Sequence, residues 1–369
     1  MRLDFDGKRS IEEILREDED SNKNFPQFQS DSNKLISGDN FYAMKLLLKN
    51  GYRGKIDLIY IDPPFATNTV FRIDEGRANT ISMSNESEIA YQDTLIGDDF
   101  LSFIRDRLVV ARELLSEQGS IYLHIDYKIG HYVKLIMDEI FGAKNFRNDI
   151  TRIKCNPKNF NRKAYGNIKD LILFYSKTSN PIWNNPNTPY TKDEIEKLYP
   201  KKDSKGRNYT TLPLHAPGET LKGKTSLPFK GIFPPKGRHW RSSPEELEEL
   251  DRKGLIEWSK TNNPRRIIYA DEKEGKKIQD IWEFKDPQYP LYPTEKNLEM
   301  LKQIVRISSN ESSLVLDFFC GSGTTLVACE ELGRKWIGID KSAKALDVVK
   351  KRMFDITGLY SKPIEIIGV

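Results

Sequence analysis

The chain has 369 residues, enough for two domains or for one large domain with an insertion. Hydrophobic residues make up 38% of it and charged residues 30%, a balance typical of a globular protein with a substantial core. No apolar run approaches the ~20 residues of a membrane span, and the first residues lack the apolar stretch of a secretory signal. The three cysteines have no paired metal-ligand spacing, and their odd number argues against a disulfide framework. These features predict a cytoplasmic protein with no membrane partner.

Strand-like and helix-like segments alternate after a polar, charged N-terminal arm over residues 1–33. The predicted strands are residues 34–38, 56–61, 120–125, 149–154 and 171–175, and the predicted helices are residues 40–49, 100–115 and 130–141. Such alternation predicts an α/β fold with a mostly parallel sheet and right-handed crossovers. Residues 66–99 are mainly polar, and we expect them to form a long loop at the active site.

An acid, two prolines and an aromatic residue follow the second predicted strand as Asp62, Pro63, Pro64 and Phe65. A diproline cannot continue a strand ladder, because neither ring nitrogen carries a hydrogen and both φ angles are fixed. The chain must therefore turn at the carboxyl end of the strand, where open α/β sheets bind their ligands. The turn presents a carboxylate, a carbonyl and a ring, which together suit an exocyclic amino group on a flat heterocycle. For this tetrapeptide alone, a turn-capping Asp62 and a core Phe65 remain the alternative.

A second strand-and-turn pattern begins at residue 313. An apolar run over residues 313–319 is followed by a glycine turn, a helix-like segment and a strand that ends at Asp340. The turn consists of Cys320, Gly321, Ser322, Gly323, Thr324 and Thr325. This order is that of nucleotide-binding βαβ units, in which glycines admit the ligand and the final acid binds ribose hydroxyls. The turn lacks the third glycine of the dinucleotide-binding fingerprint, which disfavours pyrophosphate binding. A Gly-Ser-Gly turn by itself also occurs in ordinary tight connections that bind no nucleotide.

Together the two motifs resemble those of the S-adenosylmethionine-dependent DNA amino-methyltransferases. Residues 317–323 are similar to the family's cofactor motif, and residues 62–65 look like its catalytic motif. Residues 35–39 resemble the strand end that contacts the adenine of the cofactor. Residues 292–297 resemble the segment that contacts its methionine end, although the family more often has proline at the position of Asn297. The catalytic motif precedes the cofactor motif, which is the circularly permuted beta arrangement.

The resemblance implies a fold and a set of site residues. The implied fold is the class I methyltransferase fold, a Rossmann-like, doubly wound, mostly parallel α/β sheet in permuted order. It implies methyl transfer by Asp62, Pro63, Pro64 and Phe65. It implies that S-adenosylmethionine is bound by Asp39, Thr294, Lys296, Asp317, Phe318, Phe319, Cys320, Gly321, Gly323, Thr324, Thr325 and Asp340.

Residues 178–286 interrupt the alternation and are rich in proline, glycine and lysine. They separate a catalytic half, residues 34–177, from a cofactor-binding half, residues 287–369, and their position matches the family's target-recognition region. This long middle segment also resembles the modification subunits of type III restriction systems. After the rigid pair Pro234 and Pro235, we expect DNA contacts from Lys236, Arg238, His239, Trp240 and Arg241.

The net charge is only +4, but basic residues are concentrated in two runs. Residues 144–169 contain eight basic residues and one acidic residue, and residues 201–241 contain ten and two. Either run alone is consistent with an ordinary solvated face. Two runs that flank a methyltransferase-like site favour double-stranded DNA as the partner, because neutralised phosphates contribute much of DNA affinity.

The predicted reaction is methylation of the N6 amino group of adenine in a base flipped from the duplex. The Asp62 carboxylate and the Pro63 carbonyl would accept the two amino hydrogens, and Phe65 would stack on the base. In the family that the chain resembles, an acid or amide before Pro-Pro usually goes with adenine as the target base, and a serine there usually goes with cytosine. Asp62 therefore favours adenine. Methylation at cytosine carbon-5 would need a cysteine after a proline, and none of the three cysteines follows one.

Other interpretations remain open. The same enzyme could act on the N4 amino group of cytosine, on RNA or on a protein glutamine, or the chain could be a non-catalytic DNA-binding subunit. No metal is expected because the four histidines are scattered, and His124 is expected to be structural. By analogy, the resemblance implies a restriction-modification system with a cognate restriction endonuclease, and a homodimer.

Overall fold

The computed structural model describes residues 2–16, 26–29, 32–64, 97–157, 161, 163–185, 187–288, 290, 295–358 and 364–369, together with the backbone of three short strands between residues 70 and 92. The chain divides into two compact units. The first unit combines Met1–Asn185 with Gln279–Val369, and the second is Pro186–Ile278. The second unit lies inside the insertion predicted for residues 178–286.

The first 185 residues alternate strands and helices. The elements are α1 (Ile11–Arg16), β1 (Asn33–Ser37), α2 (Asn40–Lys49), β2 (Ile56–Ile61), β3 (Val70–Asp74), β4 (Arg77–Asn79), β5 (Glu88–Gln92), α3 (Gly97–Leu114), β6 (Leu115–Ile125), α4 (Gly130–Met137), β7 (Phe146–Ile153) and β8 (Lys169–Ser176). A π-helical turn over Asp138–Gly142 extends α4, which accounts for the longer helix predicted there. Strands β3, β4 and β5 form a small antiparallel sheet, so the segment predicted as a long loop over residues 66–99 contains strands.

The second unit is built mainly from short antiparallel strands. Its elements are β9 (Asn187–Thr188), α5 (Lys192–Leu198), β10 (Lys201–Lys202), β11 (Asn208–Pro213), β12 (His215–Pro217), β13 (Arg238–Trp240), α6 (Pro244–Arg252), β14 (Ile256–Trp258), β15 (Pro264–Tyr269) and β16 (Lys276–Lys277). Both helices begin with a capping box, in which a serine or threonine hydroxyl and a glutamate carboxylate each accept a hydrogen bond from a backbone N–H.

The rest of the chain returns to the first unit. Its elements are β17 (Ile281–Trp282), α7 (Leu298–Ser308), β18 (Leu314–Asp317), α8 (Thr324–Glu331), β19 (Lys335–Asp340), α9 (Ala343–Thr357) and β20 (Ile364–Gly368). Asn297 occupies a position where the family that the chain resembles more often has proline. Its side chain accepts a hydrogen bond from Met300 N at 3.2 Å. This cap begins α7 without a proline.

Among the described residues, nine strands of the first unit form one sheet in the order β17-β7-β8-β6-β2-β18-β19-β1-β20. All neighbouring pairs in it are parallel except the two made by β8, which runs antiparallel to β6 and β7. The prediction of a mostly parallel α/β sheet in permuted order is therefore confirmed.

The order of the sheet brings distant segments together. Strands β2, β18, β19 and β1 are consecutive and parallel, so their carboxyl ends share one edge of the sheet. Asp62 follows β2, Asp317 ends β18, Asp340 ends β19 and Asp39 lies two residues past β1. Because ligands of open α/β sheets bind at this edge, the catalytic and cofactor motifs adjoin the same site.

The N-terminal segment packs on the first unit. Ile14 of α1 is fully buried in the main core, and Leu3 and Phe5 pack against that core. Arg9 pairs with Asp106 of α3 at 2.6 Å. The described part of the predicted arm is thus anchored to α3.

The second unit has a core of its own. It consists of Leu214, Phe229, Trp240 and Leu247, with Trp258 packed against it. The Trp240 side chain is fully buried, and its indole N–H donates to Leu227 O at 3.0 Å. The prediction that Trp240 contacts DNA was therefore wrong, because the aromatic residue within the basic run is the centre of a hydrophobic core.

Candidate active site

Asp62 lies directly after β2, where the diproline ends the strand. Its side chain is only 16% exposed, and Oδ2 lies 2.5 Å from the ammonium of Lys296. Lys296 immediately precedes Asn297, the residue that caps α7. The helix start therefore holds a cation against the carboxylate. Phe65, the fourth residue of the predicted catalytic motif, lies outside the described residues.

The second oxygen of Asp62 has a different environment. Oδ1 is buried and has no hydrogen-bond partner among the described residues. A buried carboxylate oxygen without a donor is unusual, because the desolvation of such an oxygen is normally compensated. Pro63 beside it is buried and has no N–H to donate. Asp62 thus combines a neutralised Oδ2 with an available acceptor at Oδ1.

Asp317 holds the start of the glycine turn. Its Oδ1 accepts a hydrogen bond from Phe319 N at 3.0 Å, and its Oδ2 accepts one from the Thr325 hydroxyl at 2.6 Å. Burial raises the pKa of Asp317 to about 7, against these two hydrogen bonds. The carboxyl group therefore connects β18 to the first turn of α8.

Asp340 fixes the opposite side of the turn. Its Oδ2 accepts a hydrogen bond from Gly321 N at 2.9 Å, and its Oδ1 accepts one from Ser342 N at 2.9 Å. Gly321 has a φ of +47°, and nothing lies within 4 Å of the position that a Cβ would take there. The backbone at Gly321 is thus open to a close-lying ligand, and an ionisable acceptor lies beside it. An open backbone beside a carboxylate is compatible with the ribose hydroxyls of S-adenosylmethionine, the cofactor that the sequence resemblance implies.

Several residues predicted to bind the cofactor instead support the backbone of the glycine turn. Phe318 is fully buried in the main core. A Cβ at Gly323 would lie 2.8 Å from Val349, and Thr324 accepts a hydrogen bond from Arg352 at 3.2 Å. Burial raises the pKa of Cys320 well above its usual range, so this cysteine remains a thiol.

Asp39 has a local structural role. Its Oδ1 accepts hydrogen bonds from Phe41 N and Tyr42 N, which caps α2, and its Oδ2 pairs with Arg107 at 3.0 Å. The neighbouring Asn40 donates to Phe318 O at 2.6 Å and so connects α2 to the glycine turn. No sequence pattern identified this connection, because its partners are far apart along the chain. Thr294 lies outside the described residues.

The four remaining residues predicted to contact DNA lie on or next to β13 of the second unit. Lys236, Arg238 and Arg241 are exposed. Arg238 donates to His215 Nδ1 at 3.1 Å, and His239 Nδ1 donates to Gly218 O at 2.7 Å. Lys236 and Arg241 have no acidic partner among the described residues. This segment can therefore offer positive charge to a polyanion.

The basic run over residues 144–169 is less available than its composition suggested. Arg147 donates to Ser176 Oγ and Thr178 O, both at 2.7 Å. Arg152 is fully buried and pairs with Asp286, and Lys154 pairs with Asp170 at 2.6 Å. These three cations support the sheet and not a surface for DNA.

The permuted sheet, with an acid-diproline turn and a glycine turn at one edge, is that of the class I methyltransferases. The chain belongs to the N6/N4 DNA methylase family, whose model matches residues 56–351. It is an S-adenosylmethionine-dependent DNA methyltransferase.

The chain is also similar to named proteins and to a solved structure. The chain is 44% identical over 326 residues to the type II methyltransferase M.EcaI of Enterobacter cloacae, covering 87% of this chain and 69% of that protein. It is 27% identical over 366 residues to the type III restriction-modification enzyme StyLTI Mod subunit of Salmonella typhimurium, covering 89% of this chain but only 54% of that subunit. The solved structure of the M1.HpyAVI–SAM complex is 18% identical with a TM-score of 0.44, covering 86% of this chain and 98% of that one.

None of the helices in the described residues is long and apolar enough to cross a membrane. No group of three or more histidine, cysteine, aspartate or glutamate residues in the described ranges could hold a metal ion.

Proposed function

We propose that the chain methylates the exocyclic N6 amino group of adenine in double-stranded DNA, with Asp62 as the catalytic acceptor. The observation that supports this is the buried Asp62 Oδ1, which has no hydrogen-bond partner among the described residues and follows β2, the neighbour in the sheet of the strand that leads into the glycine turn. An amino nitrogen on a heteroaromatic base is a weak nucleophile, because its lone pair is delocalised into the ring. A hydrogen bond from the amino group to Oδ1 would localise that pair.

Each group of the site has a defined part in this proposal. Asp62 Oδ1 accepts one amino hydrogen, and the Pro63 carbonyl accepts the other. Lys296 neutralises Oδ2 and fixes the carboxylate. S-adenosylmethionine, when bound, supplies the methyl group. Positioning and electrostatics account for the rate, with no covalent enzyme intermediate.

The second unit is proposed to recognise the DNA target. Its exposed Lys236, Arg238 and Arg241 support this, because phosphate and base contacts to DNA are made largely by lysine and arginine. The relatives named as restriction-modification enzymes support a cognate restriction endonuclease as a partner. We further propose a homodimer and a cytoplasmic location, as expected for an enzyme of such a system.

Methyl transfer from tritiated S-adenosylmethionine to DNA on filters, followed by nucleoside analysis, tests the proposal. The product should be N6-methyl-2′-deoxyadenosine, and N4-methyl-2′-deoxycytidine would contradict the proposed target. Asp62→Ala should lose methyl transfer by orders of magnitude, with cofactor affinity within a few-fold of the parent. Asp57→Ala is the matched control, because Asp57 lies on the same strand and its carboxylate accepts a hydrogen bond from Ser116. Near-normal turnover by Asp62→Ala would refute the catalytic assignment.

A further inference from the structure

A cluster of buried polar side chains lies behind Asp62. Tyr60 on β2, His124 on β6 and Asp170 on β8 are each no more than 2% exposed, although all three carry polar or ionisable groups. Burying such groups is costly unless they bond to one another. The mechanism proposed above uses none of them. Their position on three adjacent strands next to the catalytic turn suggests a role in catalysis.

Hydrogen bonds determine the tautomer of His124. Its Nε2 lies 3.2 Å from Asp170 Oδ2, and Lys154 lies 2.6 Å from the other oxygen of the same carboxylate. Burial opposes ionisation of Asp170, but the hydrogen bonds from His124 and Lys154 outweigh it and lower the pKa of Asp170. An ionised Asp170 can only accept, so His124 Nε2 carries the hydrogen.

Tyr60 occupies the other ring nitrogen. Its hydroxyl lies 3.0 Å from His124 Nδ1. Burial lowers the pKa of His124, which keeps the ring neutral, and burial raises the pKa of Tyr60, which keeps its hydroxyl protonated. The hydroxyl therefore donates to Nδ1, and Nδ1 is an acceptor.

This tautomer has a direct consequence for Asp62. His124 Nδ1 lies 3.8 Å from Asp62 Oδ1. An accepting Nδ1 cannot donate to Oδ1, whereas the opposite tautomer, or a protonated ring, could do so after a small shift. The hydrogen-bonded ring thus leaves Oδ1 unoccupied while it packs beside the carboxylate.

We propose that His124 is a positioning residue for Asp62, held by Asp170 and Tyr60 as the tautomer that keeps Oδ1 available to the amino group of the target base. This role rests on the proposed catalytic function of Asp62. In this tautomer His124 does not donate a hydrogen bond to the Asp62 carboxylate, so Oδ1 can accept one from the target base when the base binds.

Tyr60→Phe is the sharpest test, because it removes one hydroxyl from a fully packed ring. Tyr122→Phe is the matched control. Tyr122 is the registered neighbour of Tyr60 on β6, is equally buried, and also makes one side-chain hydrogen bond, to Ser308 Oγ at 2.8 Å. We expect Tyr60→Phe to lower the single-turnover methyl-transfer rate about three- to tenfold, with cofactor affinity unchanged. Tyr122→Phe should keep the parent rate.

Nitrogen NMR of histidine-labelled protein provides a second readout, because the chain has only four histidines and His124→Gln assigns the signal. His124 should be neutral with its proton on Nε2 in the parent, and the other tautomer should increase in Tyr60→Phe. An Nδ1-protonated or cationic His124 in the parent would overturn the proposal. So would a parent-like rate in Tyr60→Phe while Asp62→Ala is inactive. Activity retained in Asp62→Ala is a different result, because it refutes the catalytic role of Asp62 itself.

Discussion

The ammonium of Lys296 lies 2.5 Å from Asp62 Oδ2, although the two residues belong to motifs at opposite ends of the methyltransferase sequence. Lys296 was expected to contact the methionine end of the cofactor. Its observed position at the proposed catalytic carboxylate gives it a second role, which is to neutralise one oxygen and orient the other. A role in cofactor binding predicts an effect on Kd, and a role in orienting Asp62 predicts an effect on kcat. A substitution of Lys296 can therefore distinguish them.

Replacing Lys296 by Met keeps the aliphatic length of the side chain but removes the charge. A charged hydrogen bond contributes about 1.5–3 kcal/mol, so we expect kcat to fall by roughly ten- to a hundredfold with a smaller change in cofactor affinity. Lys302→Met is the control, since Lys302 lies on the adjoining helix α7 and pairs with Glu299 and Glu331 away from Asp62. A raised Kd for S-adenosylmethionine with unchanged kcat would assign Lys296 to the cofactor alone.

Asp340→Ala tests the cofactor site. The substitution removes the acceptor for Gly321 N and the charged group expected to bind the ribose hydroxyls. We expect S-adenosylmethionine binding to weaken by about 1.5–3 kcal/mol in isothermal titration. Asp340→Asn should lose less, because its amide retains one carbonyl acceptor for the turn. Unchanged affinity in Asp340→Ala would show that the strand, turn and helix have no role in binding.

Asp317 should make stability depend on pH. Its folded-state pKa of about 7 is above its ordinary value of 3.8, because burial disfavours the carboxylate. The folded protein therefore binds this proton more tightly than the unfolded chain does. The resulting stabilisation is complete below about pH 4 and is lost as pH rises through about 7.

Asp317→Asn removes the titrating carboxyl group and tests whether its contribution to stability falls as pH rises. The melting temperature of the variant relative to the parent should rise between about pH 5 and pH 8, since each unit of pKa shift corresponds to about 1.4 kcal/mol. Asp347→Asn on α9 is the control, because its carboxylate is largely exposed. A difference in melting temperature that stays constant with pH would contradict a raised pKa for Asp317.

Much of the site was predictable because its signals are local. The strand before Asp62 ends at a diproline and the strand before Cys320 ends at a glycine turn, and both boundaries follow from backbone chemistry. Helix α2 was predicted with its observed bounds, since Asp39 is a good cap directly before an apolar pattern. Which strand ends are adjacent followed from the family resemblance and not from the pattern of residues.

The missed features depend on contacts between distant strands. The partners of His124 were not predicted, because nothing in the neighbouring sequence shows that β6 places it between Tyr60 and Asp170. Trp240 was assigned to the DNA surface because it lies between basic residues. The structure places Trp240 in the core of the second unit while Arg238 and Arg241 remain exposed, and the neighbouring residues in the sequence do not show which side chain enters that core.

Trp240→Ala should act on folding and not on DNA contact. Removal of a fully buried tryptophan costs about 3–5 kcal/mol, so the second unit should unfold at markedly lower denaturant concentration. Trp183→Ala is the control, because Trp183 is half exposed and stacks on Phe174 in the first unit. Parent-like stability of Trp240→Ala in urea unfolding followed by circular dichroism would contradict the buried position of this side chain.

The exposed arginines of the same segment should act on DNA and not on folding. Arg238 and Arg241 lie on either side of the buried Trp240, which anchors the segment while both side chains remain accessible. We expect the double variant Arg238→Ala and Arg241→Ala to weaken cognate DNA binding, with cofactor affinity and melting temperature unchanged. The variant with Arg252→Ala and Lys253→Ala removes the same charge from the end of α6 in the same unit, and it controls for a general loss of attraction.

Salt dependence and sequence dependence then distinguish phosphate contacts from base contacts. Loss of a phosphate contact weakens binding to all sequences and lowers the salt slope by about one unit per contact. Loss of a base contact costs about 1–3 kcal/mol at the cognate site and relaxes specificity at one position. Fluorescence anisotropy with cognate and scrambled duplexes over a salt series measures both quantities. If the Arg238 and Arg241 variant binds and methylates DNA like the parent at physiological salt, this segment does not face DNA. The buried and paired cations of residues 144–169 could not readily replace it, because Arg152 and Lys154 are bound to Asp286 and Asp170.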